Sequence, residues 1–305
     1  MKKLLLVYNP HSGKGQIASY LARIIDTLTK GGYNVTAHPT QSAGDAYDTV
    51  KKYGGEFDTI VCSGGDGTMH EVVKGIMDGG HHVPLGSIPA GTMNDFSSSL
   101  GIPRYMPDAA KTIVTGKPRY VDVGAFNNNY FTYVAAFGAF TKVSYSTDQQ
   151  RKNTFGVLAY LTDAVKEASE NFDLSHSYNV TIKANGTTVT GDYMFGMVAN
   201  SLSVGGIKEL AGNDISMNDN TFEGIFIKNP ANITELTATF NYLIRKEFSA
   251  PCFDYFRSDV FDVTCNEEVP WTVDGEYGGD DRRISICCMH NCLKMIVGDY
   301  APGLK

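Results

Sequence analysis

The sequence predicts an α/β chain of two domains, a parallel-sheet domain followed by a mainly β domain. Three observations point there. Over roughly the first 120 residues, short β-branched runs alternate with helical stretches, which is the rhythm of a parallel sheet. After Asp122 strand-like runs follow one another directly. Glycines also cluster at the carboxyl ends of three early strands, where open α/β sheets bind their ligands.

Taken in order, residues 3–8 read as a strand and 17–30 as an amphipathic helix. Further strands are predicted at 33–37, 59–62 and 85–88, with helices at 43–53 and 69–77 between them. The second domain opens with a strand at 130–137 and continues with 178–183 and 187–199. Asn185-Gly186 between the last two is a type I′ hairpin signal, because both residues tolerate positive φ. Two helices interrupt the strands, one at 155–169 and one at 233–248, the second with Asn232 or Thr234 available as its cap. Strands at 283–288 and 293–297 close the chain, and there is no internal repeat or low-complexity linker.

Composition narrows the function. With 305 residues, 42% of them hydrophobic and 19% charged, the chain can bury two cores at roughly 100 to 200 residues per domain. A net charge of -7 argues against nucleic acid as the main ligand, since phosphate-backbone binding normally needs an excess of Lys and Arg. The apolar run after Met1-Lys2-Lys3 stops at Tyr8-Asn9-Pro10, too short for a signal peptide, and no segment offers the roughly 18 apolar residues of a spanning helix. The expectation is a cytoplasmic protein whose membrane contact, if any, is local. The cysteines Cys62, Cys252, Cys265, Cys287, Cys288 and Cys292 form no C-x-x-C pair and read as buried free thiols. A zinc site in the stretch from Cys287 to Cys292 is disfavoured because adjacent residues on a strand point to opposite faces.

The chemistry lies in three glycine-rich turns: Asn9-Pro10-His11-Ser12-Gly13-Lys14-Gly15, Ser63-Gly64-Gly65-Asp66-Gly67-Thr68, and Pro89-Ala90-Gly91-Thr92-Met93-Asn94-Asp95-Phe96. Unhindered backbone N–H groups can approach phosphate oxygens closely, and helix N-termini add favourable dipole charge. Taken alone, turn one lacks the full P-loop pattern and suits an ordinary strand-to-helix turn. Turn two is more specific, because it sets Asp66 among three glycines before a helix carrying Glu71. A carboxylate beside phosphate-binding amides makes sense when Mg²⁺ lies between them; as a bare turn, Asp66 would be a helix cap.

The three motifs in this order resemble the bacterial soluble diacylglycerol kinases and their relatives, the sphingosine and ceramide kinases. The resemblance runs along nearly the whole chain, through Thr40 before Gly44-Asp45-Ala46, through Met217-Asn218-Asp219-Asn220-Thr221-Phe222, and to Val273-Asp274-Gly275-Glu276. It implies a nucleotide-binding domain like those of NAD kinase and phosphofructokinase over residues 1–122, rejoined by strands at about 290–305, and a β-sandwich domain over 123–289. ATP and a lipid at the membrane surface would then meet in the cleft between the domains.

By the same resemblance Asn9, Pro10, His11, Ser12, Gly13, Thr40, Gly64, Gly65, Asp66, Gly67, Thr68 and Thr92 would hold ATP. Asp66 and Asp95 would organise catalytic Mg²⁺ and phosphate. Glu276 matches the family's proposed general base, which accepts the proton of the lipid hydroxyl; from the bare sequence, Asp274-Gly275-Glu276 reads more often as a hairpin turn, and the resemblance reverses that. A structural Mg²⁺ in the second domain would be bound by the carbonyl of Ser216, the side chain of Asp219 and the carbonyl of Thr221.

The sequence departs from the family pattern at Asn220, usually Gly; at His70, usually Asn in bacterial members; and at Ser97, usually Ala. Asn220 still tolerates a left-handed turn. His70 either biases lipid choice or simply fills the helix start. An NAD kinase shares a similar Gly-Gly-Asp-Gly turn, and a nucleotide-binding regulator without catalysis is the reading from outside enzymes. The joint presence of Asp66, Asp95 and Glu276 favours a lipid kinase. The particular lipid and the oligomeric state, a homo-oligomer included, are left open.

Overall fold

A computed structural model describes residues 1–138, 177–204, 207–208 and 215–304. The helix predicted at 155–169 lies outside them. The chain divides into two compact units, Met1–Val123 with His290–Lys305, and Gly124–Met289.

The first unit is built on a parallel sheet in the order β2-β1-β3-β4, with β1 Lys2–Tyr8, β2 Tyr33–Pro39, β3 Thr59–Gly64 and β4 Leu85–Pro89. Its central strands are covered on both faces, which is why β3 and β4 are buried along their whole length. Helix α1 (Ile17–Lys30) buries Ile17, Ile24 and Leu28, one stripe at helical spacing. Helix α2 is Asp45–Tyr53, and α3 is Asp66–Asp78, starting three residues earlier than predicted, so Asp66 is its first residue. The structure adds α4 (Asp95–Ser99) and α5 (Met106–Thr115), the latter with Pro107 in the first turn, where no backbone donor is needed.

The second unit is antiparallel. Its remaining elements are β5 Lys117–Phe126, which enters it from the first unit, β6 Asn129–Phe131, β7 Val134–Gly138, β8 Tyr178–Ala184, β9 Thr187–Ala199, the short pair β10 Ser203–Val204 and β11 Ile207–Lys208, β12 Phe222–Lys228, α6 Ile233–Arg245, β13 Phe253–Ser258, β14 Val260–Val273 and β15 Glu276–Val297. Strands run β13-β12-β9 and then, end to end in one position, β7 and β8, both of which pair β14 on their other side. The Asn185-Gly186 hairpin forms as predicted, with φ of 47° and 72°. Asn232 caps α6, its side chain accepting from the Glu235 N–H at 3.0 Å while Glu235 accepts from the Ala231 N–H at 2.9 Å, a reciprocal cap. The core is aromatic: Trp271 packs on Phe137 and Phe126 with ring centroids 4.8 and 5.3 Å apart, and Phe131 packs on Phe222.

Three predicted strands change on folding, one by breaking and two by merging. The run at 130–137 breaks between β6 and β7, because the N–H groups of Thr132, Tyr133 and Val134 turn to the carboxylate of Asp274. The two final strands are one, β15, which carries Asn291 at φ 52°. There the buried Asp122 accepts from the Asn291 N–H at 2.7 Å and pairs with His290 Nδ1 at 2.9 Å. Beyond that point β15 belongs to the first unit and joins its sheet, Met295 beside Leu85 of β4.

Candidate active site

Turn one leaves β1 at Asn9, whose N–H donates to the Ser63 carbonyl at 2.9 Å and so ties it to the end of β3. The Asn9 side chain accepts from the His11 N–H at 2.9 Å and its carbonyl from the Ser12 N–H at 3.3 Å, which curls Ser12–Gly15 into one 3-10 turn. Pro10 is half-buried and His11 exposed. Gly13 has φ +55°, and a Cβ there would lie 1.9 Å from the Ala90 carbonyl oxygen. Only bare backbone fits between turn one and turn three. The Thr40 N–H donates to the Tyr8 carbonyl at 2.9 Å, which sets Thr40 beside the start of turn one.

Turns two and three are joined more closely still. The Ala90 N–H donates to the Gly64 carbonyl at 2.8 Å, and a Cβ on Gly91 would stand 2.5 Å from the Gly65 Cα. Asn94 takes the left-handed conformation, accepts from the Gly91 N–H at 3.0 Å and donates to the Gly91 carbonyl at 2.7 Å. Its own N–H donates to the Asp66 carboxylate at 2.8 Å. Asp66 thus opens α3 with its carboxylate turned to the third turn, and Gly67 and Thr68 occupy the first turn of the same helix. All three turns meet at the carboxyl ends of β1, β3 and β4.

The remaining predicted residues of this unit fall into different surroundings. Thr92 is exposed, and Arg104 donates to its carbonyl at 2.8 Å and to that of Met93 at 2.7 Å. Asp95 is 1% exposed at the start of α4. His70 is half-buried on α3. Below the turns, Cys62 is fully buried and its thiol is pushed well above the ordinary range, first by burial and then by the charges of Glu71 and Asp66.

Two contributions were not legible beforehand. Asn94 is part of a motif, but its bridging role depends on a left-handed backbone that Asn only permits. Glu71 accepts from the Gly44 N–H at 2.9 Å and the Ala46 N–H at 3.2 Å, so a carboxylate from α3 caps the amino end of α2. Contact across 27 residues leaves no local signal.

In the second unit, Glu276 is exposed at the first position of β15, paired with Val273 across the Asp274-Gly275 turn. That turn is a hairpin with φ of 51° and 83°. Asp274, to which no role had been given, is 2% exposed and accepts from the Thr132 N–H at 2.7 Å, the Thr132 hydroxyl at 2.9 Å, the Tyr133 N–H at 3.0 Å and the Val134 N–H at 3.2 Å. It holds the base of the hairpin that carries Glu276. Ser216 is buried, and its hydroxyl donates to Asn218 at 2.8 Å. Asp219 accepts from the Thr221 hydroxyl at 2.8 Å and from the guanidinium of Arg257. Asn220 sits at φ 64°, the left-handed value expected of it.

The cysteine-rich stretch has Cys287 exposed and Cys288 buried, on opposite faces of β15. The Cys292 thiol is pushed up to about 11, chiefly by burial. Among the described residues no three His, Cys, Asp or Glu side chains are grouped to hold a metal.

Residues 3–126, which contain all three turns and Thr40, match the model of the diacylglycerol kinase catalytic domain. Over 282 residues the chain is 34% identical to the diacylglycerol kinase of Bacillus subtilis (strain 168), covering 92% of this chain and 91% of that one. The chain belongs to the diacylglycerol kinase family. It is also 31% identical to the diacylglycerol kinase of Staphylococcus carnosus (strain TM300), over 91% of this chain and 90% of the relative. A crystal structure assigned to a diacylglycerol kinase of Bacillus anthracis str. Sterne superposes with a TM-score of 0.85 at 25% identity, covering 98% of this chain and 96% of that one. The diacylglycerol kinase catalytic-domain match thus spans the three turns, while the Glu276 hairpin and the Asp219 loop lie beyond its last residue.

Proposed function

We propose that this member of the diacylglycerol kinase family is an ATP-dependent lipid kinase that transfers the γ-phosphoryl group to the hydroxyl of a diacylglycerol-like lipid. The observation that carries the reading is the junction of turns two and three. Glycine backbone there is packed too closely for any side chain, and the Asp66 carboxylate is fixed beside it by the Asn94 N–H. Side-chain-free amides suit phosphate oxygens, and a held carboxylate among them suits a hard cation.

In this reading Asn9, Pro10, His11, Ser12, Gly13, Thr40, Gly64, Gly65, Gly67, Thr68 and Thr92 surround the nucleotide. Asp66 is the residue suited to Mg²⁺, and the buried Asp95 supports turn three from within α4. Mg²⁺ bound there would offset the negative charge of the triphosphate. Glu276 takes the proton of the lipid hydroxyl as its oxygen bonds to the γ-phosphorus and the bond to the β–γ bridging oxygen breaks, leaving ADP. The exposed carboxylate of Glu276 is consistent with that role, and Asp274 positions its hairpin.

We infer further that the first unit is akin to the nucleotide domains of NAD kinase and phosphofructokinase and that the second is a β sandwich. No described helix is long and apolar enough to cross a membrane. A cytoplasmic enzyme that meets lipid by reversible peripheral contact fits the family and the net charge of -7. The test is a product screen with labelled ATP against diacylglycerol, phosphatidylglycerol, ceramide, a sphingoid base and NAD. Phospholipid from diacylglycerol is expected; phosphorylation of NAD alone, or ATP binding without any product, would overturn the reading.

A further inference from the structure

The loop before β12 is met by a half-exposed cation from the neighbouring strand. Glu223 on β12 and Arg257 on β13 are directly paired in the antiparallel register, so their side chains share one face of the sheet. Glu223 is 3% exposed, and the Arg257 Nε lies 3.5 Å from its carboxylate. From that position the Arg257 side chain reaches back along the loop. Its Nε donates to the Thr221 hydroxyl at 3.1 Å and its Nη2 to the Asp219 carboxylate. The other Asp219 oxygen accepts from the Thr221 hydroxyl at 2.8 Å.

One guanidinium therefore joins two carboxylates and a hydroxyl, among them the Asp219 carboxylate that a hard divalent ion would need. Mg²⁺ demands near-octahedral oxygen coordination at about 2.1 Å and gives up its water reluctantly. At Asp219 both oxygens already have partners, and the charge facing them is a planar fork whose donors match carboxylates without any dehydration of a metal. Of the ligand set that the family resemblance assigns to a structural Mg²⁺, the carbonyls of Ser216 and Thr221 and the side chain of Asp219, the one charged member is thus paired with an arginine in this chain.

We propose that Arg257 is the resident cation of the loop at 216–221 and takes the place of a bound divalent ion there. The loop then keeps its shape in the absence of metal. Any divalent requirement of the protein reduces to the ion that accompanies the nucleotide, a consequence that rests on the kinase reading, whereas the experiment below needs no activity.

Mg²⁺ is titrated calorimetrically into the nucleotide-free wild-type protein, and melting is followed with Mg²⁺ or with EDTA. No saturable site that Asp219→Asn abolishes is expected, and no shift in wild-type melting. Arg257→Met is expected to melt several degrees lower and to acquire a Mg²⁺-dependent rise in melting temperature, because two carboxylates are left facing one another. Arg257→Lys, which keeps the charge but loses the fork, should fall between the two and serves if the Met variant does not fold. A Mg²⁺ site in the wild type that Asp219→Asn removes, an Arg257→Met protein as stable as wild type, or a destabilised variant that gains nothing from Mg²⁺ would each overturn the proposal.

Discussion

Removing the Asp274 carboxylate should loosen the hairpin that carries Glu276 and lower the stability of the second unit. The carboxylate is 2% exposed and accepts four hydrogen bonds, two at each oxygen: the N–H and hydroxyl of Thr132 at Oδ2, and the N–H groups of Tyr133 and Val134 at Oδ1. Hydrogen bonds to a charged group contribute about 1.5 to 3 kcal/mol each, but four sharing one acceptor do not add. Breaking a buried charged network by removing one partner costs about 3 to 5 kcal/mol, and three buried backbone N–H groups lose their acceptor at once. Asp274→Ala should therefore destabilise by about 4 kcal/mol, or about 8 to 16 °C in melting temperature at the roughly 2 to 4 °C per kcal/mol typical of this size. Asp274→Asn is the sharper control, since whichever way its amide is turned its NH₂ group faces a backbone N–H where an acceptor is required. It should lose about half as much. The assay is thermal or urea unfolding followed through Trp271, which is fully buried in the same core. A melting temperature for Asp274→Ala within about 2 °C of wild type would refute the reasoning, because a carboxylate that accepts four buried hydrogen bonds cannot be lost at so small a cost.

Four further outcomes are expected. Asp66→Asn should fold normally and lose turnover by about 10²-fold or more, since it removes the charge suited to Mg²⁺ at the triphosphate; near-normal activity in the purified variant would end the metal assignment. Glu276→Gln should lower turnover by about 10² to 10⁴-fold while ATP affinity is retained; wild-type turnover would leave Glu276 a turn residue, and collapse of ATP binding would make it a metal ligand instead. Gly13→Ala should weaken ATP binding, because the left-handed backbone costs about 1 to 2 kcal/mol for an L-residue and the new Cβ is aimed at a carbonyl on turn three; unchanged affinity by calorimetry would contradict the packing of those turns. The Asp45 carboxyl is held below its usual 3.8, first by the Gln41 backbone N–H and then, against its partial burial, by His38 and Thr49. Such a depressed group contributes stability that is present above 3.8 and lost as pH falls through the folded value. The urea midpoint of Asp45→Asn should accordingly trail wild type at neutral pH and converge with it in acid, and a constant deficit across that range would exclude the linkage.

Much of this architecture is legible from the chain alone, because it depends on local rules. Alternating runs and helical stripes specify β1 to β4 and α1 to α3, whose burial follows residue type. The Asn185-Gly186 turn and the Asn232 cap need only the conformations of the residues that form them. The three glycine-rich turns are visible because close backbone approach leaves its trace in composition. What only the tertiary structure decided depends on partners far apart in sequence. Asp274 splits a predicted strand by drawing its N–H groups away across 142 residues, Asp122 joins two predicted strands into one, and Glu71 caps a helix that precedes it in the chain. The guanidinium beside Asp219 belongs to the same class: a loop's sequence shows which oxygens could bind a cation, but the register of β12 against β13 decides that an arginine lies within reach of them.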